Sequence, residues 1–227
     1  MKYFLKNLVS SIIAGILIAI GGIAFVMCKY KLNSNADLIG SILFSIGLFS
    51  IIIYGLNLFT GKVCYFFHED TKFKLNLLTI LLGNFIGAAG TGYLFRFSAS
   101  EGVLELATKI CEAKLQNTYL QCFILSCFCG IMIYLAVNIY KEAEHVLAKY
   151  FAVVFGVVIF IICGFEHCVA TMYYFSVANM WNFTTLIYFL IMVLGNSVGG
   201  VALPLLRKLY ATLLPPCPFL GVHLHDQ

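Results

Sequence analysis

Leu82-Gly83-Asn84-Phe85-Ile86-Gly87 recurs 112 residues later as Leu194-Gly195-Asn196-Ser197-Val198-Gly199. Both copies read Leu-Gly-Asn, any residue, a β-branched residue, then Gly, and both lie inside long apolar runs. Glycines four residues apart let helices approach closely in lipid, and such small-residue motifs recur in helical membrane proteins without any repeat behind them. Packing has no use for the matching asparagines, however. The repetition therefore points to two related halves, about 1–97 and 114–210.

The rest of the composition fits that reading. With 62% apolar and 11% charged residues, and a mean hydropathy of +0.97, the chain is far more apolar than a soluble core of 227 residues requires. Crossing the hydrocarbon takes about 20 apolar residues, and backbone groups there must be paired within the protein, which favours helices. Six runs qualify: Leu5–Cys28, Leu38–Phe67, Leu75–Phe95, Thr118–Tyr140, Tyr150–Val177 and Thr184–Leu206. No cleavage region follows the first, so a retained span is expected rather than a signal peptide. Three spans per half is an odd number, so the second half enters the membrane in the opposite sense. The expected fold is all-α, a polytopic membrane protein of six transmembrane helices in two inverted three-helix repeats, with the substrate path between them. One transport domain over 1–210 and a cytoplasmic tail over 211–227 are expected.

With six spans both termini share a side, which collects Lys2, Lys6, Lys72, Lys74, Lys141, Lys149, Arg207 and Lys208. The other side has Lys29, Lys31, Arg96, Lys109 and Lys114. Eight against five puts the termini in the cytoplasm of a cell (inner or plasma) membrane. A net charge of +4 without a basic stripe suits lipid contact and not a nucleic-acid partner. The nine cysteines show no zinc spacing with histidine and read as small apolar packing residues, so neither metal nor cofactor is expected.

Spans two and five, at 30 and 28 residues, exceed what a straight crossing needs, and each is interrupted. The interruptions are Gly55-Leu56-Asn57-Leu58-Phe59-Thr60-Gly61-Lys62 and Cys163-Gly164-Phe165-Glu166-His167-Cys168. Broken helices at matching places flank sites near the bilayer midplane. Glu166 and His167 stand deep in an apolar run, where an ionisable group is a candidate functional residue by default. Glu166 also suits a clamp on the donors of a broken helix, whereas imidazole can change charge near neutral pH. Lys114 and Lys62 can supply positive potential at the mouths of an anion path, or serve as snorkelling anchors. Thr60 offers a hydroxyl to the path or an N-cap to the segment after it.

At these residues the sequence resembles the formate/nitrite transporter family, whose two breaks read close to Leu-Phe-Thr-Gly (58–61 here) and Gly-Phe-Glu-His (164–167 here). Lys114, Leu135-Ala136-Val137, Asn84 and Asn196 extend the likeness over residues 1–210. The resemblance implies an aquaporin-like fold with helices 2 and 5 broken, assembled as a homopentamer with one pore per protomer. It implies that Thr60 and His167 meet at the centre, and that Phe44, Leu58 and Phe160, with Phe59 beside them, form apolar constrictions. The implied activity is passage of small monovalent anions, namely formate, nitrite or hydrosulfide. Lys114 would attract the anion and His167 would lend it a proton, while Glu166 holds the histidine in place. Three positions depart from the family pattern: Asn57 where many members are acidic, Lys62 after the glycine, and Thr171 in place of an asparagine.

Two other classes fit parts of the sequence. An aquaporin-like channel for neutral solutes accounts for the repeat and the breaks but leaves Lys114 and His167 idle. An intramembrane enzyme pairing Cys163 or Cys168 with His167 has a thiol beside an imidazole, but side chains adjacent in sequence do not face each other on a helix.

Overall fold

The computed structural model describes residues 2–213, and every regular element among them is helical. Residues 214–227 of the expected tail lie outside the described residues. Helix α1 (Lys2–Lys31) is followed by α2 (Ala36–Ile53), the four-residue α3 (Phe59–Lys62) with a 3-10 turn at Val63–Tyr65, α4 (Thr71–Ser98) and α5 (Glu101–Leu115). Then come α6 (Tyr119–Glu142), α7 (Val146–Ile162), α8 (Cys168–Val177) and α9 (Phe183–Leu213).

Local chemistry sets several boundaries. The Asp70 carboxylate accepts the Phe73 N–H at 2.8 Å and starts α4. Thr118 and Gln121 form a reciprocal capping box at the start of α6, the Thr118 hydroxyl accepting the Gln121 N–H at 3.2 Å and the Gln121 side chain accepting the Thr118 N–H at 2.8 Å. Gly55 at φ +63° and Gly164 at φ +67° take left-handed conformations just past α2 and α7, which a side chain would oppose. Thus both long runs are broken in the molecule.

Among the described residues five helices, α1, α2, α4, α6 and α9, are long and apolar enough to cross a membrane by themselves. The run expected as a fifth span, Tyr150–Val177, is delivered as two shorter apolar helices, α7 and α8, because the chain leaves the helix between them. The amphipathic run before span four is a full helix, α5, which buries Val103, Ala107 and Cys111 at four-residue spacing against α1 and α8.

Packing follows the repeated motif. Helix α1 lies along α4, and α6 along α9. A Cβ on Gly87 would collide with the carbonyl of Ile12, and one on Gly199 with the carbonyl of Cys127. Gly15 and Gly130 answer from the partner helices, where a Cβ would strike the carbonyls of Asn84 and Asn196. This is backbone-to-backbone packing that only hydrogen at these positions permits. Helix α8 is enclosed by α1, α4, α5 and α9, and all ten of its residues are buried. The outward faces of the long helices carry exposed Leu, Ile, Val and Phe, as a lipid-facing surface demands.

Gly87→Leu and Gly199→Leu are each expected to destabilise the fold by about 3 kcal/mol or more through overpacking. Thermal unfolding and size-exclusion profiles in detergent, against a Gly90→Leu control at a position with open space, measure this.

Candidate functional site

The site is built on two broken helices, and breaking a helix inside an apolar body strands N–H and C=O groups that must find partners. Asn84 supplies them for the first break. Its Oδ1 accepts the Phe59 N–H at 2.8 Å, and its Nδ2 donates to the carbonyls of Ser11 at 2.8 Å and Asn57 at 2.9 Å. Asn196 does the same for the second, accepting from Cys168 N–H at 2.9 Å and donating to the carbonyls of Ser126 at 2.8 Å and Glu166 at 2.7 Å. Both side chains are fully buried. An amide carries an acceptor and two donors in one planar group, which neither an aspartate nor an apolar residue can offer.

The second break ends on His167, which is the N-cap of α8. Its Nδ1 accepts the Ala170 N–H at 3.0 Å. A backbone N–H can only donate, so Nδ1 carries no proton and the neutral ring keeps its proton on Nε2. Nε2 lies 2.9 Å from Thr60 Oγ1 of α3, so the imidazole donates to the hydroxyl across the junction of the two breaks. Both ring nitrogens are thereby engaged, and neither Cys163 nor Cys168 is paired with the histidine. Among the described residues no three His, Cys, Asp or Glu side chains converge as a metal set.

A cavity of about 570 Å³ opens on one side of this junction. His167, Phe160, Phe44, Lys114, Glu166 and Lys29 are among its walls. Phe160 stacks on the His167 ring at 5.7 Å between centroids and 25° between planes, and Phe44 meets Phe160 edge-on at 5.9 Å. The floor of the cavity is therefore an aromatic wall ending in the imidazole. Lys114, in the last turn of α5, reaches Glu166 at 2.7 Å, with side-chain exposures of 18% and 3%. Its ammonium also sits 5.6 Å from the centre of the Tyr174 ring. A buried ion pair of this kind is costly to make and far costlier to halve, so it holds α5 against the second break.

On the other side a cavity of about 80 Å³ is lined by Leu58, Lys62 and Lys141 together with apolar side chains of α2 and α6. Leu58 is the N-cap of α3 and 2% exposed, and it separates this space from the buried Thr60. The residues expected from sequence thus fall into two groups. Lys114, Glu166, His167, Phe44 and Phe160 line the larger cavity and Leu58 and Lys62 the smaller, with Thr60 between. Asn57 and Phe59 line neither. Asn57 turns to α1, where its Nδ2 donates to Asn7 Oδ1 at 3.1 Å and its N–H donates to Ser10 Oγ at 3.1 Å. Phe59 contributes its N–H to Asn84 and buries its ring. Sequence reasoning missed Lys29 with Asp37 at one mouth and Lys141 with Tyr65 at the other. They read as topology charges and helix-end residues, and only a long-range approach brings them to the cavities.

Comparison with known proteins agrees with this geometry. The sequence profile of the formate/nitrite transporter family matches residues 2–210. The formate channel FocA of Haemophilus influenzae is 27% identical over 86% of this chain and 82% of its own length. Formate-nitrite transporter 2 of Toxoplasma gondii is 31% identical over 71% of this chain, which spans 38% of that longer protein. A solved pentameric formate channel with formate bound superposes with a TM-score of 0.81 at 22% identity, over 94% of this chain and 99% of that one. An FNT family ion channel gives 0.80 at 24% identity, over 93% and 91%. These two likenesses establish the shared fold.

Asn84→Ala and Asn196→Ala are each expected to cost about 3 kcal/mol or more, since three buried backbone groups lose their partner in each case. Asn→Asp at either position, which sets a buried carboxylate oxygen against two carbonyls, should cost at least as much as alanine. Thermal unfolding of the four variants in detergent measures the series.

Proposed function

The chain belongs to the formate/nitrite transporter family, and on that premise we propose that it is a membrane channel for small monovalent anions. Formate, nitrite and hydrosulfide are the candidate ions. The observation that carries the reading is the junction of Thr60 and His167, closed by Phe160 on one side and Leu58 on the other. An anion reaching Phe160 must shed water against an apolar wall, which is prohibitive for a bare charge and tolerable for its conjugate acid. Thr60 and His167 supply hydrogen bonds inside the dry segment. Lys114, held by Glu166, offers an N–H donor on the approach to it.

A proton relay at His167 is the finer form of this proposal, and the hydrogen bonding constrains it. The proton on Nε2 faces Thr60 and the path. Passing it to the anion without leaving an imidazolate requires a proton to arrive on Nδ1, and for that the Ala170 N–H must let go. The relay therefore opens the cap of α8 in each cycle. A pore that only offers hydrogen bonds leaves the cap closed.

We further infer a homopentamer with one path per protomer, residues 1–210 forming a single transport domain of two inverted halves, and both termini in the cytoplasm. The pentameric formate channel of like fold supports the first, the matched asparagine networks the second, and the lysine and arginine distribution the third. An aquaporin-like path for neutral solutes is the alternative, and uptake of the three anions separates the two readings.

Uptake of formate, nitrite and hydrosulfide into proteoliposomes, from neutral to acidic external pH, tests the reading on the native chain and His167→Phe. The native chain is expected to take up at least one of the three. Uptake should rise as pH falls, by up to about tenfold per unit, because each proton relayed by His167 is replaced from solution, where proton activity grows tenfold per unit. In His167→Phe the rise should flatten. A pH response unchanged in the variant removes the relay and keeps the channel. No uptake of any of the three by assembled protein removes the channel.

A further inference from the structure

The two ends of the path differ in how their lysines are partnered. On the Lys114 side each lysine lining the cavity has a carboxylate. Lys114 is 2.7 Å from Glu166, and Lys29 is 2.5 Å from Asp37, whose side chain lines the same cavity. Two positive charges are met there by two negative ones. The Lys62 side is different. Lys62 and Lys141 line the smaller cavity, its other walls include Leu48, Ile51, Leu58 and Val137, and among the described residues neither lysine forms an ion pair.

Neutral contacts hold Lys141 where it is. Its Nζ donates to the Tyr65 hydroxyl at 2.6 Å and lies 4.5 Å from the centre of that ring. A phenol and its π-face orient an ammonium without cancelling its charge. Lys62, the last residue of α3, is half-buried and lines the same cavity. Glu69, on the exposed turn after the 3-10 segment, forms no ion pair with either. Two compact charges without an ion-pair partner, beside apolar walls, focus potential into the space next to Leu58.

We propose that Lys62 and Lys141 form an anion-holding site on the Lys62 side of the constriction, and that the channel therefore loads small monovalent anions more readily from that side. The site takes an ion with two or three oxygens, or a single soft anion, between two ammonium groups. It holds the ion loosely because neither donor is fixed by a counter-charge, so the ion can leave for Thr60 or return. The inference rests on the anion-channel reading and deepens it with a preferred side.

The test is single-sided formate titration of the reconstituted channel in planar bilayers at low ionic strength. A membrane-impermeant maleimide, mapped to the exposed Cys163 by peptide mass, identifies the Lys114 side. The half-saturating formate concentration is expected to be about fivefold lower from the Lys62 side, the effect of two unit charges several ångströms away through water. Raising ionic strength should shrink the difference. Lys62→Gln with Lys141→Gln should abolish it, and thermal unfolding and size-exclusion profiles in detergent report that the variant is folded. Lys62→Arg should keep it. Equal half-saturation in the native channel, or a difference that survives the double variant, overturns the inference and leaves the channel reading standing. Absence of formate, nitrite and hydrosulfide current from both sides, together with absence of their uptake into proteoliposomes, overturns both.

Discussion

Everything in this molecule depends on how the backbone groups freed at two helix breaks are satisfied inside an apolar body. An interrupted helix in water is hydrated at no great cost, but here no water is at hand to accept the Phe59 and Cys168 N–H groups or donate to the carbonyls of Asn57 and Glu166. Asn84 and Asn196 each take one such N–H and one such carbonyl, and add a carbonyl from the neighbouring helix. That third bond ties the break to α1 in one half and α6 in the other. The glycines beside the asparagines let those helices come near enough for it. Close packing and polar satisfaction are here one device.

The candidate residues of both breaks meet at one junction. His167 is held by a backbone donor on one nitrogen and a hydroxyl on the other, with Phe160 stacked on its ring. Those contacts fix its tautomer and its aim, and they make a change of charge state inseparable from local rearrangement. A histidine that caps a helix through Nδ1 can take a second proton there only by loosening the helix it caps.

Charge is distributed with equal economy. The Lys114–Glu166 pair joins α5 to the second break, so the connecting helix between the halves becomes part of the vestibule. At the opposite end the lysines are oriented by an aromatic ring and by apolar walls. One end is therefore locked by ion pairing, and at the other the lysines have no ion-pair partner among the described residues.

Much of this was legible in the sequence, because apolar run length, the paired Leu-Gly-Asn motifs and the glycine-bearing interruptions each obey a local rule of span length, close packing or backbone conformation. Those rules gave the all-helical membrane class, the positions of the breaks and the candidacy of Glu166, His167, Thr60 and Lys114. They could not place the start of the fifth run, expected at Tyr150 and found at Val146, since hydropathy does not register where a helix begins. Nor could they exclude Asn57 and Phe59 from the cavities, for which face a residue presents beside a break is settled by α1 and α4 and not by its neighbours in sequence. The partners of Lys114, Lys29 and Lys141 lie 52, 8 and 76 residues away. Whether a lysine is neutralised or left charged follows from what stands across the cavity, and that is decided only when the helices pack.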